Sequence, residues 1–397
     1  MSKKLVIVCL INFLIAALMG VLLRYSFVGQ SFFNYRFLTH AHSHIAMLGW
    51  VYLILYVLIV HYFVPEKKPI YNKLFWVTQF AVVGMMLSFP FQGYAAISIS
   101  FSTLHIFCSY YFVYLIWKQH KAQSVATQYL LKASLIFMLL STGGVWCLGP
   151  AVSMLGRMSA FYNIAIQFFL HFQFNGWFLI AVLAIFFHLL GIQYSKQFQI
   201  FFKLLMVSTV LTMALPIYWF APYKILLVIN GVGVCLQLLV LFLFLKLIKP
   251  YQFRLLQSNN KLTVYLYNFV IFCLILKLGL QLVSLNPEFS ETLYQHRNLI
   301  IGFIHLTMLG IVTGFLFSFI LQSRLVIYNM VLKFGIASFV SGFILTELLL
   351  MIQGIMFYLG KGLMSNYYLF LFLSSILLPL GIAMLILNIY RKSKIST

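Results

Sequence analysis

Ten histidines are scattered through an otherwise apolar chain of 397 residues, and the spacing of three of them suggests chemistry. Around the first, Arg36 precedes His44 by eight residues, and Gly49 follows it by five, with His40 and His42 between. Arg297, His305 and Gly310 repeat that spacing, so both segments read R-x7-H-x4-G, with Met-Leu before the glycine. His171 and Gly176 supply a third H-x4-G, followed by Trp177 as Gly49 is followed by Trp50. The anchors His44, His171 and His305 lie 127 and 134 residues apart, about a third of the chain each time. A fainter echo follows each anchor by 17 residues, at His61, His188 and Gln322.

A lone histidine in an apolar helix is usually a packed side chain, but three at one depth are costly without partners or ligands. Imidazole is the common axial ligand of haem and a good ligand for copper or zinc. In a helix, the eight residues from Arg36 to His44, or from Arg297 to His305, span about 12 Å. That places a guanidinium fork above each imidazole, suited to carboxylates such as haem propionates. The glycine about one turn below leaves room for a flat group against the helix. His40 and His44 share a helical face, whereas His42 points to the other side.

The elements that must hold these residues follow from composition. The chain is 63% hydrophobic and 8% charged, with 26 Lys and Arg against four glutamates and no aspartate. Soluble domains carry roughly a quarter of their residues as charges, so a soluble fold is excluded, as is a disordered one. Long aromatic-rich apolar runs also exclude a nucleic-acid binder, despite the formal charge of +22. A spanning helix needs about 20 apolar residues. Twelve runs meet that length, beginning near Leu5, Leu38, Leu74, Ala95, Tyr129, Phe161, Ile200, Ile225, Leu262, Leu299, Val326 and Tyr367. The run from Leu5 to Leu23 is expected to be a retained helix rather than a cleaved signal.

Counting alternate connections places nineteen basic residues, Arg254 and Arg324 among them, on the side of the N-terminus. Six lie on the other: Arg24, Arg36, Arg157, Lys224, Arg297 and Lys361. Basic residues accumulate in the cytoplasm, so both termini are expected there, in a multi-pass protein of the cytoplasmic membrane. The expected fold is all-α, one transmembrane domain over 1–397. Its twelve helices form three four-helix repeats of about 1–123, 124–260 and 261–397, with the anchor histidine on the second helix of each.

Taken with these motifs, the chain resembles subunit I of the haem–copper oxidase superfamily, built as twelve helices in three arcs of four. The stretch from His42 to Gly49 is also similar to the H-A-H-x-x-x-x-G segment of the nitric-oxide-response haem–copper membrane proteins, the NnrS family. The resemblance covers the whole length in topology but only three short segments in residues. It implies a non-covalent low-spin haem b held by His44 (or its neighbours His40 and His42) and His305, under Arg36 and Arg297. It also places a copper ligand at His171. The departures are as specific. Phe303 stands where the family has its high-spin haem ligand, and the seventh run, roughly 200–220, lacks the histidines that complete the copper site.

The oxygen-reducing centre is therefore expected to be absent. The expected function is electron transfer or respiratory chemistry of nitric oxide or oxygen, with a redox partner subunit or quinone. An enzyme keeping a second metal at His171 is one alternative; a threefold transporter or channel for a metal ion or small anion is another. Lys277 and Glu347 are the most costly residues in the apolar runs, read either as charges near the cofactor or as partners of each other. His105 is read as packed. The five cysteines, Cys9, Cys108, Cys147, Cys235 and Cys273, are isolated and read as core residues rather than disulfides or thiolate ligands.

Overall fold

Helix starts follow the local chemistry of the chain. Asn34, Ser124, Ser159, Ser195, Asn260 and Asn329 each accept a backbone N–H of the following turn, satisfying donors that a helix leaves free at its N-terminus. In the computed structural model, which describes residues 1–251, 260–323 and 325–395, twelve helices have spanning length and apolarity, six of them begun in this way. They are α1 (Lys3–Tyr25), α2 (Tyr35–Phe63), α3 (Pro69–Gln92), α4 (Ala96–Gln119), α5 (Val125–Leu155) and α6 (Ala160–Leu190). The second half comprises α7 (Lys196–Tyr218), α8 (Lys224–Tyr251), α9 (Lys261–Val283), α10 (Arg297–Gln322), α11 (Met330–Tyr358) and α12 (Tyr367–Lys392). No strand occurs among the described residues. This is the build of a multi-pass membrane protein. Arg254 and Arg324 lie outside the described residues.

Expected starts agree with observed ones to within a helical turn or so. At α11 the apolar run begins at Val326, but the helix begins at Met330, because Asn329 caps it through the backbone N–H of Leu332 at 3.0 Å. A short polar helix, Pro287–Gln295, precedes α10 and was not expected from the apolar pattern. Pro90, Pro150 and Pro379 sit inside α3, α5 and α12. Cys9, Cys108 and Cys273 are buried as expected; Cys147 is only half-buried, and Cys235 is exposed.

The chain divides into two compact units, one of residues 1–120 and 316–397, the other of 121–315; the division falls within α10. In the first unit, α1 packs on α2 and α12, and α11 on α12. Phe13 stacks on Trp50 with ring centroids 4.7 Å apart, and Phe317 and Phe339 meet them edge-on or tilted. Asn12 and Gln79 exchange amide hydrogen bonds of 2.8 and 3.0 Å inside this core, and Asn12 Nδ2 also donates to the Gly49 carbonyl. In the second unit, α5 packs on α6 and α7 on α8. Gly144 of α5 meets the backbone of Ala165 and Phe169 on α6, an approach that requires a residue without Cβ.

Three of the twelve helices change their backbone pattern part-way. Each of α2, α6 and α10 contains a π-helical stretch: Ile45–Tyr52, Phe172–Phe178 and Leu306–Thr313. Each stretch begins on the residue after an anchor histidine, and each contains the motif glycine. In an α-helix a residue five positions on lies across the helix from the first. In a π-turn, bonded i to i+5, it lies little more than one turn on and nearer the same face. The x4 spacing thus brings glycine toward the face of the histidine in a π backbone.

Candidate functional site

In α2 the three histidines separate as their spacing requires. His42 faces α1, its Nδ1–H donating to the Ala16 carbonyl at 2.8 Å, and its Cε1 lies against Gly20. His40 and His44 face the other way, toward the end of α3. The His44 ring lies 4.4 Å from Phe89 and 5.7 Å from Tyr94, and the His40 ring 4.6 Å from Tyr94.

The tautomer of His44 follows from its partners. Its Nδ1 is 2.8 Å from the His40 carbonyl, which only accepts, so Nδ1 carries the proton. The lone pair of the neutral ring is then on Nε2, which meets the Tyr94 hydroxyl at 3.4 Å. An imidazole held by Nδ1–H with Nε2 free for a metal is the usual arrangement of a metal-ligating histidine. Arg36 sits in the first turn of α2, exposed, where Asn34 caps the helix.

His105 on α4, read from the sequence as a packed residue, is packed here beside His44. It is 2% exposed, packs edge-on against Tyr52 at 4.6 Å, and hydrogen-bonds the backbone of Leu48 within the π stretch. It lies within electrostatic range of His44, and its Nε2 is buried without a hydrogen-bond partner. Gly49 departs from the expected role. A Cβ there would meet Val82 at 2.9 Å and Asn12 at 3.2 Å, so the glycine serves close packing of α1, α2 and α3 rather than a flat ligand surface.

On α6, His171 is committed differently. Its Nε2 lies 2.8 Å from the carbonyl of Thr209 on α7, so that nitrogen is the donor and only Nδ1 keeps a lone pair. Gly176 packs against Phe137 of α5. On α10, Arg297 is the exposed first residue, His305 is half-buried, and Gly310 is buried in the π stretch. Phe303, on the turn above His305, lies beside Lys277 of α9, whose ammonium is 5.3 Å from the ring centroid. That cation–π contact, with a 3.3 Å hydrogen bond to Gln281, is the setting of Lys277. Glu347 on α11 lies within electrostatic range of Arg24 at the end of α1.

These positions bear on which cofactors the residues fit. No three His, Cys, Asp or Glu residues among those described converge as a metal cage. A metal held wholly by protein donors does not suit that donor set, whereas haem, which needs one or two imidazoles, does. His44, with Nδ1 anchored and Nε2 directed among Phe89 and Tyr94, has the donor geometry for it. No family model matches the chain, and no curated protein is similar to it.

Proposed function

We propose that this protein binds a non-covalent low-spin haem b in the cytoplasmic membrane, which His44 and His305 would hold. The observation that carries this reading is the His44 ring, fixed through Nδ1 to the His40 carbonyl, with the Nε2 lone pair in a long 3.4 Å contact to the Tyr94 hydroxyl that iron would replace. It is supported by the π stretch that follows each of His44, His171 and His305, the same local device in the second helix of each four. Three four-helix repeats, about 1–123, 124–260 and 261–397, with both termini cytoplasmic, are the architecture this reading requires. It is also the arrangement that resembles the haem–copper oxidases.

His44 would orient the haem through its anchored ring, while Phe89 and Tyr94 wall one side. Arg36 and Arg297, each in the first turn of its helix, would meet the propionates. A bis-histidine haem supplies one-electron transfer, which suits exchange with a redox partner subunit or quinone, or respiratory chemistry of nitric oxide or oxygen. Copper has less support: His171 keeps only Nδ1, and Phe303 carries no donor atom.

The test is the absorption spectrum of the purified, dithionite-reduced protein. Sharp low-spin b-type bands are expected, lost in His44→Ala and in His305→Ala. A colourless wild-type protein overturns the proposal, as does a spectrum unchanged by both substitutions.

A further inference from the structure

The second unit contains a mainly apolar cavity with a few polar groups in its wall that the haem reading does not use. It has a volume of about 50 Å³ and is lined by Lys277, Gln237, Asn175 and Thr209 among apolar side chains that include Phe244 and Leu274. Lys277 is 2% exposed and Gln237 9%. Among the described residues the only hydrogen bond of the ammonium is the long one to Gln281, and no carboxylate pairs with it. An uncompensated ammonium so placed in an apolar region is costly unless a counter-charge joins it.

The carboxamides are also incomplete. Gln237 Nε2 donates to the Thr212 hydroxyl at 3.3 Å, and Asn175 Nδ2 donates to the His171 carbonyl at 3.3 Å, both long bonds. Gln237 Oε1 and Asn175 Oδ1 are buried without hydrogen-bond partners. Gln237 can turn by half a revolution and keep Thr212 as its partner if the Thr212 hydroxyl redirects its proton from the Ser208 carbonyl, 2.9 Å away, to the amide oxygen. That rotation replaces the orphaned oxygen with an N–H donor beside the cavity that Lys277 also lines. Asn175 Oδ1 stays an acceptor, which one retained water satisfies. A cavity holds a water in roughly 10–15 Å³, so this one has space for a small ion and a water together.

We propose that this cavity is a binding site for a small monovalent anion, held by the Lys277 ammonium and the Gln237 carboxamide, with one water bridging to Asn175. The site lies within residues 121–315 and does not depend on haem, so its success or failure is separate from that of the haem proposal.

The experiment is equilibrium binding of radiolabelled chloride to the purified full-length protein in detergent, with bromide and nitrate as competitors and gluconate as the inert control. Wild type is expected to bind about one chloride per chain, saturably. Lys277→Gln is expected to abolish binding, and Gln237→Leu to weaken it at least tenfold. Gel filtration and circular dichroism establish that the variants are folded, and Gln237→Leu carries the test if Lys277→Gln does not fold. Absence of saturable binding by wild type, or equal binding by the folded variants, overturns the site and leaves the cavity to water.

Discussion

His42 and His44 stand two residues apart on α2, yet each commits Nδ1 to a different helix: His42 to the Ala16 carbonyl of α1, His44 to the His40 carbonyl of α2 itself. One ring therefore ties two helices together, and the other is braced within a single helix with its second nitrogen in only a long contact to the Tyr94 hydroxyl. Substitution should separate these roles. His44→Ala is expected to remove the reduced haem absorption, and in the haem-free protein to cost no more stability than the loss of one hydrogen bond. His42→Ala is expected to retain the absorption and to lower stability by about 0.5–1.5 kcal/mol, the net worth of one hydrogen bond. Parallel spectra and thermal unfolding of the two variants check both arms, and the reverse pattern would move the ligand to His42.

The reciprocal amide pair of Asn12 and Gln79 offers a test of packing alone. Asn12 is 2% exposed and also holds the Gly49 carbonyl. Asn12→Leu removes one partner and leaves the Gln79 carboxamide buried and unpaired, which costs about 1–3 kcal/mol. Replacing both, in Asn12→Leu with Gln79→Leu, should recover part of that loss, because no orphaned amide remains. Thermal unfolding of the single and double variants measures the difference. If the double variant is no more stable than the single, the pair does more than satisfy itself.

The apolar runs make the twelve helices legible in the sequence, since burial in lipid demands length and apolarity that few other structures need. The split of His42 from His40 and His44 is legible too, from helical geometry. The π stretches are not. Nothing in residue type separates an i-to-i+5 turn from an α-turn, and only the recurrence of H-x4-G in three helices hints at one. His105 was legible as a packed residue but not in its company, because Tyr52 meets it from another helix. Gly49 was legible as a special position but not in its purpose, because its neighbours, Val82 and Asn12, come from other helices. Glu347 likewise comes within electrostatic range of Arg24, a residue more than three hundred positions away in the chain.

His171 provides a prediction that bears on metal content. With Nε2 donating to Thr209, the ring fastens α6 to α7, and its loss should cost stability in the range of one hydrogen bond to a buried carbonyl, about 1 kcal/mol. His171→Ala is expected to leave the haem spectrum intact. Copper analysis of wild type and variant decides between this and a ligand role: stoichiometric copper in wild type, lost in the variant, would restore the enzyme reading.

Glycine substitutions make a last contrast, since the motif-free glycines of this chain occupy opposite surroundings. At Gly381 of α12, an added Cβ would come within 2.5 Å of the Gly335 carbonyl oxygen and 2.7 Å of the Phe339 nitrogen on α11. Those are backbone atoms, so the helices must separate, and the small-residue contact that replaces hydrophobic drive in lipid is lost. At Gly231 of α8, nothing lies within 4 Å of the added Cβ. There alanine only restricts the unfolded chain and improves helix propensity, a gain of roughly 0.4–1 kcal/mol. Gly381→Ala is accordingly expected to lower the unfolding temperature and Gly231→Ala to raise it modestly, measured side by side in the same detergent. Equal effects at the two positions would mean that α11 and α12 do not pack through their glycines.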